Sequence, residues 1–87
     1  MSNQEVINCF KNGQNGKSSN GNLWISADGN RLYNYYTCIA QRLANGRFVV
    51  NSTKYSPTTS KIQTYVRNTL KKYREVTNMP MGCATLV

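Results

Sequence analysis

One basic, amphipathic stretch constrains the fold of this chain more than any other feature. It covers residues 54–74, KYSPTTSKIQTYVRNTLKKYR, and contains six of the eleven lysines and arginines but no acidic residue. At 100° per residue, its apolar side chains fall in an arc of about 140°, and the basic side chains lie mainly opposite. We therefore expect a helix, reaching to about Arg74 or Val76, that packs on a core and presents positive charge to solvent. The apolar set is Ile62, Tyr65, Val66, Leu70 and Tyr73.

The start of this helix has two candidate caps. Ser56 precedes Pro57, and proline is favoured at the first helical position. Ser60 is followed three residues later by Gln63, which is the spacing of a capping box. The sequence favours neither cap over the other.

A shorter helix is predicted within residues 1–11. Ser2 and Glu5 have the spacing of a capping box and precede a small apolar set. That set consists of Val6, Ile7 and Phe10. This helix spans barely two turns.

Two segments read as irregular. Residues 12–22 are rich in Asn, Gly and Ser and predict a flexible linker, so the helix before them is expected to be loosely attached. Residues 77–87 predict a C-terminal tail, because Pro80 and Gly82 interrupt regular structure. The apolar end of the tail could dock on a sheet or lie free.

Three strands are predicted between the linker and the long helix. The first is LWIS from Leu23, and the tripeptide Asp28-Gly29-Asn30 suits a tight hairpin turn after it. The second covers residues 31–43, which are rich in Tyr, Thr and Ile. It is long for one strand, so we expect a bend or bulge near Tyr36 or Thr37.

The third strand, RFVVNS, follows the strongest turn signal of the chain, Asn45-Gly46, which favours a type I′ turn between antiparallel strands. The fold class is therefore α+β: a three-stranded antiparallel β-meander packed by a C-terminal amphipathic helix, plus the short N-terminal helix. Residues 23–76 form the predicted βββα domain. One face of its sheet is expected to remain open to solvent or a partner.

The aromatic residues divide into core and surface candidates. Alternation places Tyr33 and Tyr35 on one strand face, and helical periodicity places Tyr65 and Tyr73 on the apolar helix face, so all four are expected mainly in the core. Tyr36 points the opposite way from Tyr33 and Tyr35. It and Trp24 are the better candidates for an exposed contact that could stack on nucleic-acid bases.

The charge balance favours an anionic partner. The net charge is +8 and the isoelectric point is about 9.8, with only three acidic residues to neutralise the bases. Positive charge that finds no internal partner attracts external anions.

Composition argues against catalysis and metal binding. The chain has no histidine, its three acids are isolated, and it lacks phosphate-loop and dinucleotide-binding glycine motifs, so we expect no enzyme activity and no cofactor. Cys9, Cys38 and Cys83 have no paired spacing, and we expect reduced, semi-buried thiols and no metal site. No signal peptide or apolar span is apparent, which predicts a cytoplasmic protein without a membrane partner.

Three motifs carry a resemblance: a Gly-Asn-Leu opening, a Leu-Tyr-x-Tyr strand with Ile-Ala a few residues on, and Asn-x-Thr-Lys-Tyr-Ser-x-Thr-Thr-Ser-Lys before the long helix. From Gly21 to Leu70 the chain resembles a small family of uncharacterised proteins encoded by bacteriophages and plasmids. The resemblance covers about half to two thirds of the chain and departs from the pattern at Tyr36, where a small residue is expected. It implies a bacterial host cell and no mechanism. The matching positions are Gly21, Asn22, Leu23, Leu32, Tyr33, Tyr35, Ile39, Ala40, Asn51, Thr53, Lys54, Tyr55, Ser56, Thr58, Thr59, Ser60 and Lys61.

The segment KYSPTTSK before the long helix is the first candidate binding surface. A helix N-terminus exposes unpaired N–H groups, and here four hydroxyls and two lysines flank it, which suits a phosphate. Capping and packing are the alternative explanation, and the sequence leaves both open. With the basic residues of the helix, the candidate nucleic-acid-binding set is Lys54, Tyr55, Ser56, Thr58, Thr59, Ser60, Lys61, Arg67, Lys71, Lys72 and Arg74.

Two functional hypotheses follow. In the first, the chain is a small basic phage or plasmid accessory protein that binds nucleic acid through phosphate contacts, by analogy with small domains whose strands enter the major groove. In the alternative, the same positive face binds an acidic host protein, as an inhibitor of a defence system or a polymerase would. A homodimer is a further possibility, because an exposed sheet edge or face invites pairing.

Overall fold

The computed structural model describes all 87 residues and contains two helices and one five-stranded sheet. The first four strands along the chain form an antiparallel meander, and the fifth pairs in parallel with the fourth at the far edge. The α+β class is confirmed, but the sheet has two more strands than the predicted three. The elements are α1 (Asn3–Lys11), β1 (Leu23–Ile25), β2 (Arg31–Asn34), β3 (Thr37–Arg42), β4 (Phe48–Asn51), α2 (Pro57–Leu70) and β5 (Arg74–Val76).

The predicted second strand is in fact two strands joined by a tight turn. Tyr35 and Tyr36 form the turn between β2 and β3, and Tyr35 has a left-handed backbone with a φ of 56°. A bulge follows, because Leu32 pairs with Ala40 while Tyr33 pairs with Cys38, which leaves one residue of β3 without a partner. The sequence predicted an irregularity here, and the structure contains both a complete turn and a bulge.

The Asn45-Gly46 turn lies where the sequence predicts it, but its type differs. Only Gly46 has a positive φ, at 83°, whereas a type I′ turn requires two such residues. The N–H of Gly46 donates to the carbonyl of Leu43 at 2.9 Å, and the N–H of Leu43 donates to the carbonyl of Arg47 at 2.7 Å. This is the pattern of a three-residue hairpin loop with a left-handed glycine.

Helix α2 begins at Pro57 and ends at Leu70, so it is shorter than predicted. Ser56 is the cap, and its hydroxyl accepts a hydrogen bond from the N–H of Thr59. At the other end Lys71 has a φ of 64°, which reverses the chain and lets β5 return beside β4. Consequently Lys71, Lys72 and Arg74 are not on the helix, and the prediction that the helix extends to Arg74 or Val76 was wrong.

Both helices pack on one face of the sheet. The main core joins Val6, Ile7 and Phe10 of α1 to apolar side chains of β1 to β4 and α2. All three α1 side chains are fully buried, so α1 is not loosely attached. The rest of this core consists of Leu23, Ile25, Leu32, Ile39, Ala40, Val50, Ile62, Val66 and Leu70.

The C-terminal tail covers the opposite face, which the sequence expected to stay open. Leu86 packs with Cys38 and Val49 in a second, smaller cluster. The hydroxyl of Tyr33 donates to the carbonyl of Ala84 at 2.6 Å. Further hydrogen bonds join the N–H of Gly82 to Thr37 Oγ1, the N–H of Cys38 to the carbonyl of Cys83, and the N–H of Leu86 to Gln41 Oε1. The tail is therefore a structural layer of the fold.

The buried Cys38 thiol provides a test of this tail packing. Burial, with the nearby Cys83 thiol adding to it, raises the pKa of Cys38 to about 12. An unfolded chain ionises its thiols near pH 8.5, so between that pH and 12 only the unfolded state releases the proton and is stabilised. We expect the free energy of unfolding to fall with rising pH, by up to about 1.4 kcal/mol per pH unit, relative to a Cys38→Ala variant.

Urea unfolding of both proteins at several pH values between 8 and 10.5 measures this difference. The cavity left by the alanine substitution adds an offset that does not depend on pH. Parallel stability curves for the two proteins would show that the thiol is accessible to water and that the tail does not seal this face.

Arg42 ties three parts of the chain together. Its guanidinium donates to the carbonyl of Gly29 at 2.7 Å and to the carbonyls of Phe10 and Lys11 at the C-terminus of α1. It also lies 5.1 Å and 5.2 Å from the ring centroids of Phe10 and Phe48. A cation at a helix C-terminus is favourable because the last carbonyls have no partners within the helix.

Replacing Arg42 is expected to destabilise the fold. Arg42→Leu removes the guanidinium donor from the carbonyls of Gly29, Phe10 and Lys11 and should lower the free energy of unfolding by about 2–3 kcal/mol. Arg47→Leu is the matched control, because Arg47 is exposed and such changes stay within about 0.5 kcal/mol. Denaturant unfolding measures both, and equal effects of the two substitutions would contradict the structural role of Arg42.

Candidate nucleic-acid interface

The side chain of Asn51, at the end of β4, is the centre of a buried polar cluster. Its amide donates to the carbonyl of Cys38 at 3.0 Å and to the hydroxyl of Tyr55 at 2.9 Å, and its Oδ1 accepts from the N–H of Thr53 at 3.0 Å. Gln63 of α2 donates to the carbonyls of Asn51 and Thr53. The cluster fixes the path of the chain from β4 into α2.

The same cluster holds the beginning of the tail. The hydroxyl of Tyr55 donates to the carbonyl of Met79 at 2.9 Å, and Thr53 Oγ1 accepts from the N–H of Met79 at 3.0 Å. Asn51, Thr53 and Tyr55 of the signature before α2 thus form hydrogen bonds with each other and with Met79 in the tail. Packing and hydrogen bonding explain these three residues without a ligand.

The hydroxyls at the start of α2 are also partly used internally. Thr59 Oγ1 donates to Asn34 Oδ1 at 2.8 Å and accepts from Ser56 Oγ at 3.1 Å. The N–H groups of Thr59 and Ser60 are bonded to Ser56, and Pro57 has none to offer. Of the four candidate hydroxyls, those of Thr58 and Ser60 take no part in these bonds, and Thr58 is exposed while Ser60 is half-buried. The helix N-terminus therefore offers less to a phosphate than the sequence suggested.

The signature yields a stability prediction. Tyr55→Phe removes a hydroxyl that joins Asn51 to the tail carbonyl of Met79, and should lower the free energy of unfolding by about 1–2 kcal/mol. Thr58→Ala is the control from the same segment, since Thr58 is exposed. Thermal or urea unfolding measures both, and a neutral Tyr55→Phe would show that the polar cluster contributes little.

The basic candidate residues fall into two groups at opposite ends of α2. Lys54 and Lys61 are exposed at its N-terminal end, and Lys71, Lys72 and Arg74 are exposed beyond its C-terminal end. A 14-residue helix is roughly 20 Å long, which sets the spacing of the two groups. Arg67 lies between them, is half-buried, and donates to Thr64 Oγ1 at 3.3 Å.

A groove at the C-terminal end of α2 concentrates positive charge. We call it the basic groove: it has a volume of about 630 Å³ and is lined by Arg47, Lys72 and Arg74 together with Phe48 and Tyr73. The parallel pairing of Val49 with Arg74 places the chain before β4 beside the chain before β5, which brings Arg47 close to Lys72. Leu43, Asn45, Gly46 and Leu70 complete the lining.

Arg47 was missed as a site residue by sequence reasoning. It lies in the hairpin loop before β4, 25 residues away from Lys72 in the chain. Only the β4–β5 pairing brings them together, and β5 was predicted as the end of the helix. The one available signal was its position directly after the Asn45-Gly46 turn, where a charged side chain is exposed.

Two of the three acidic residues are engaged in local hydrogen bonds. The pKa of Glu5 is lowered mainly by a hydrogen bond from the backbone N–H of Ser2 and, to a smaller extent, by one with the Ser2 hydroxyl. Ser2 and Glu5 together form the capping box of α1. Hydrogen bonds from the hydroxyl of Ser26 and the N–H of Asn30 lower the pKa of Asp28 in the β1–β2 turn. Glu75 is exposed on β5, and alternation along the strand directs it away from Arg74. None of the three lines the basic groove.

The aromatic residues differ from their predicted places in two cases. Tyr35 is 57% exposed in the β2–β3 turn and Tyr65 is 43% exposed on α2, so the prediction that both are in the core was wrong. Tyr33 is half-buried against the smaller cluster that contains Leu86 of the tail. Tyr73 is half-buried against the main core. Tyr36 is 81% exposed, as predicted.

Comparisons with protein-family models, with curated proteins and with solved structures find no match to this chain. The structure contains no group of three or more Cys, Asp or Glu side chains that could hold a metal ion. Neither helix has the length and apolar composition needed to cross a membrane.

Proposed function

We propose that this protein is a small nucleic-acid-binding accessory factor of a phage or plasmid, acting in the bacterial cytoplasm. The observation that carries the proposal is the basic groove, where Arg47, Lys72 and Arg74 meet in a concave surface that no acidic residue lines. A net charge of +8 on 87 residues adds a positive field around it.

The chemistry of the groove suits a phosphate backbone. Two guanidinium groups present planar pairs of donors that match phosphate oxygens, and the ammonium group of Lys72 adds a compact charge. Lys71 lies exposed beside the groove, and Lys54 and Lys61 extend the charged surface to the other end of α2. Contacts of this kind fix the position of the nucleic acid and supply affinity without reading its sequence.

Binding is therefore expected to depend strongly on salt. Each neutralised phosphate contributes about −0.7 to −0.9 to the slope of log affinity against log salt concentration, because counterions are released. Fluorescence anisotropy with a labelled oligonucleotide between 50 and 300 mM salt measures this slope. No binding at 50 mM salt, or a slope near zero, would contradict the proposal.

Charge reversal in the groove tests its location. Lys72→Glu or Arg74→Glu should lower affinity at least about tenfold at low salt and reduce the magnitude of the salt slope by about 1. Lys11→Glu is the matched control, because it makes the same change of net charge at an exposed residue that does not line the groove.

Equal losses for all three single variants would show that net charge, and not this groove, determines binding. If the wild-type protein instead captures one stoichiometric acidic protein from nuclease-treated bacterial lysate and binds no oligonucleotide, the alternative function as an inhibitor of a host protein would replace this one.

A further inference from the structure

A second groove, at the opposite edge of the sheet, differs in chemistry from the first. We call it the aromatic groove: its volume is about 410 Å³, and Trp24, Tyr35, Tyr36 and Lys17 line it together with Ile25 and several glycines and asparagines. It therefore combines exposed aromatic rings with one cation and no acidic side chain. Large aromatic side chains are usually at least partly buried in a folded protein. The stability of the fold therefore does not explain why these rings are exposed.

The two tyrosines at its rim are in unfavourable environments for tyrosine: Tyr35 has a left-handed backbone conformation, and Tyr36 is almost fully exposed. Tyr35 has a φ of 56° in the turn, a conformation that glycine or asparagine adopts at lower cost than a bulky side chain. Tyr36 is 81% exposed at the tip of the same turn. Two adjacent aromatic residues in a tight turn, one of them strained, are not explained by packing or by turn chemistry.

The floor of the groove is rigid. The ring of Trp24 stacks on that of Tyr33 with centroids 4.5 Å apart and an interplanar angle of 18°. Its indole N–H donates to the carbonyl of Tyr35 at 2.7 Å, which ties the floor to the turn. A flat ring fixed in this way needs no ordering when a planar ligand arrives.

Positive charge lies on both sides of the turn. Lys17 lines the groove, and a bridge pairs its backbone with that of Trp24. On the other side, Asn34, which directly precedes the turn, accepts a hydrogen bond from Thr59 in the first turn of α2. The exposed Lys54 and Lys61 therefore lie at the same end of the sheet as the turn.

We infer that the nucleic acid is single-stranded, and that unpaired bases stack on Tyr35, Tyr36 and Trp24 while Lys17 contacts the neighbouring phosphate. This inference depends on the proposed function. Bases in a duplex are stacked inside the helix and cannot cover an exposed aromatic ring, whereas unpaired bases do so without regard to sequence. Exposed rings flanked by cations are the common features of single-strand binding surfaces.

The test compares a 15-nucleotide single strand with the duplex of the same sequence, both fluorescently labelled, at one low salt concentration. The wild-type protein should bind the single strand at least about tenfold more tightly. Tyr36→Leu should weaken single-strand binding roughly 5- to 100-fold and leave duplex binding unchanged, and Tyr36→Phe, which keeps the ring, should retain wild-type affinity.

Trp24 gives an independent readout because it is the only tryptophan of the chain. The single strand should quench its fluorescence and the duplex should not. Circular dichroism confirms that the Tyr36 variants fold, which is expected because Tyr36 is at the surface.

Equal binding of single strand and duplex, or an unchanged affinity of Tyr36→Leu for the single strand, would overturn the inference while the proposed function stands. A wild-type protein that binds neither oligonucleotide at low salt would overturn both.

Discussion

The buried amide of Asn51 is the interaction on which the rest of the structure depends. It joins the end of β4 to the start of β3, and it organises the loop that leads into α2 and, through Tyr55, the beginning of the tail. A buried polar cluster of this kind is costly unless every polar group in it has a hydrogen-bond partner. It therefore stabilises the one chain path that provides all of these partners over other paths. Since α2 must leave from this point, its length fixes where Lys72 and Arg74 lie.

The fold also determines where the basic side chains lie that no acidic residue neutralises. Glu5 and Asp28 are engaged in a helix cap and a hairpin turn, and Arg42 is engaged by carbonyls at the end of α1. The exposed basic side chains that remain include the two groups at the ends of α2, and also Lys11 and Lys17. Because helices cover one sheet face and the tail covers the other, no open sheet face is available to enter a major groove. Edges, turns, helix ends and the outer faces of the two helices are the surfaces left for a partner.

The sequence predicted the parts of this fold that local rules determine. The capping box of α1 and the turn at Asn45-Gly46 are each set by residues within a few positions. The Ser56-Pro57 start of α2 is equally local, but the sequence offered it only as one of two candidates beside Ser60, and the structure decides between them. The end of α2 could not be predicted in this way, because the helical periodicity continues through Tyr73. The chain leaves the helix at Lys71 because β4 offers an unpaired edge to residues 74–76, which is a tertiary effect. The basic groove forms only because the helix ends before Lys71 and β5 pairs with β4. The sequence alone therefore did not identify Arg47 as a groove residue.

The two grooves occupy opposite ends of the meander, and this separation has a physical origin. Successive turns of an antiparallel sheet alternate between its ends, so the β2–β3 turn with its tyrosines and the β3–β4 loop with Arg47 cannot be neighbours. The molecule measures only 30 × 28 × 22 Å, which is within reach of one short strand of nucleic acid. A rigid duplex cannot follow a path around the corner from one end to the other without bending, which is costly over so short a length. A flexible single strand meets no such cost, so the positions of the two grooves are consistent with the single-stranded ligand that we propose.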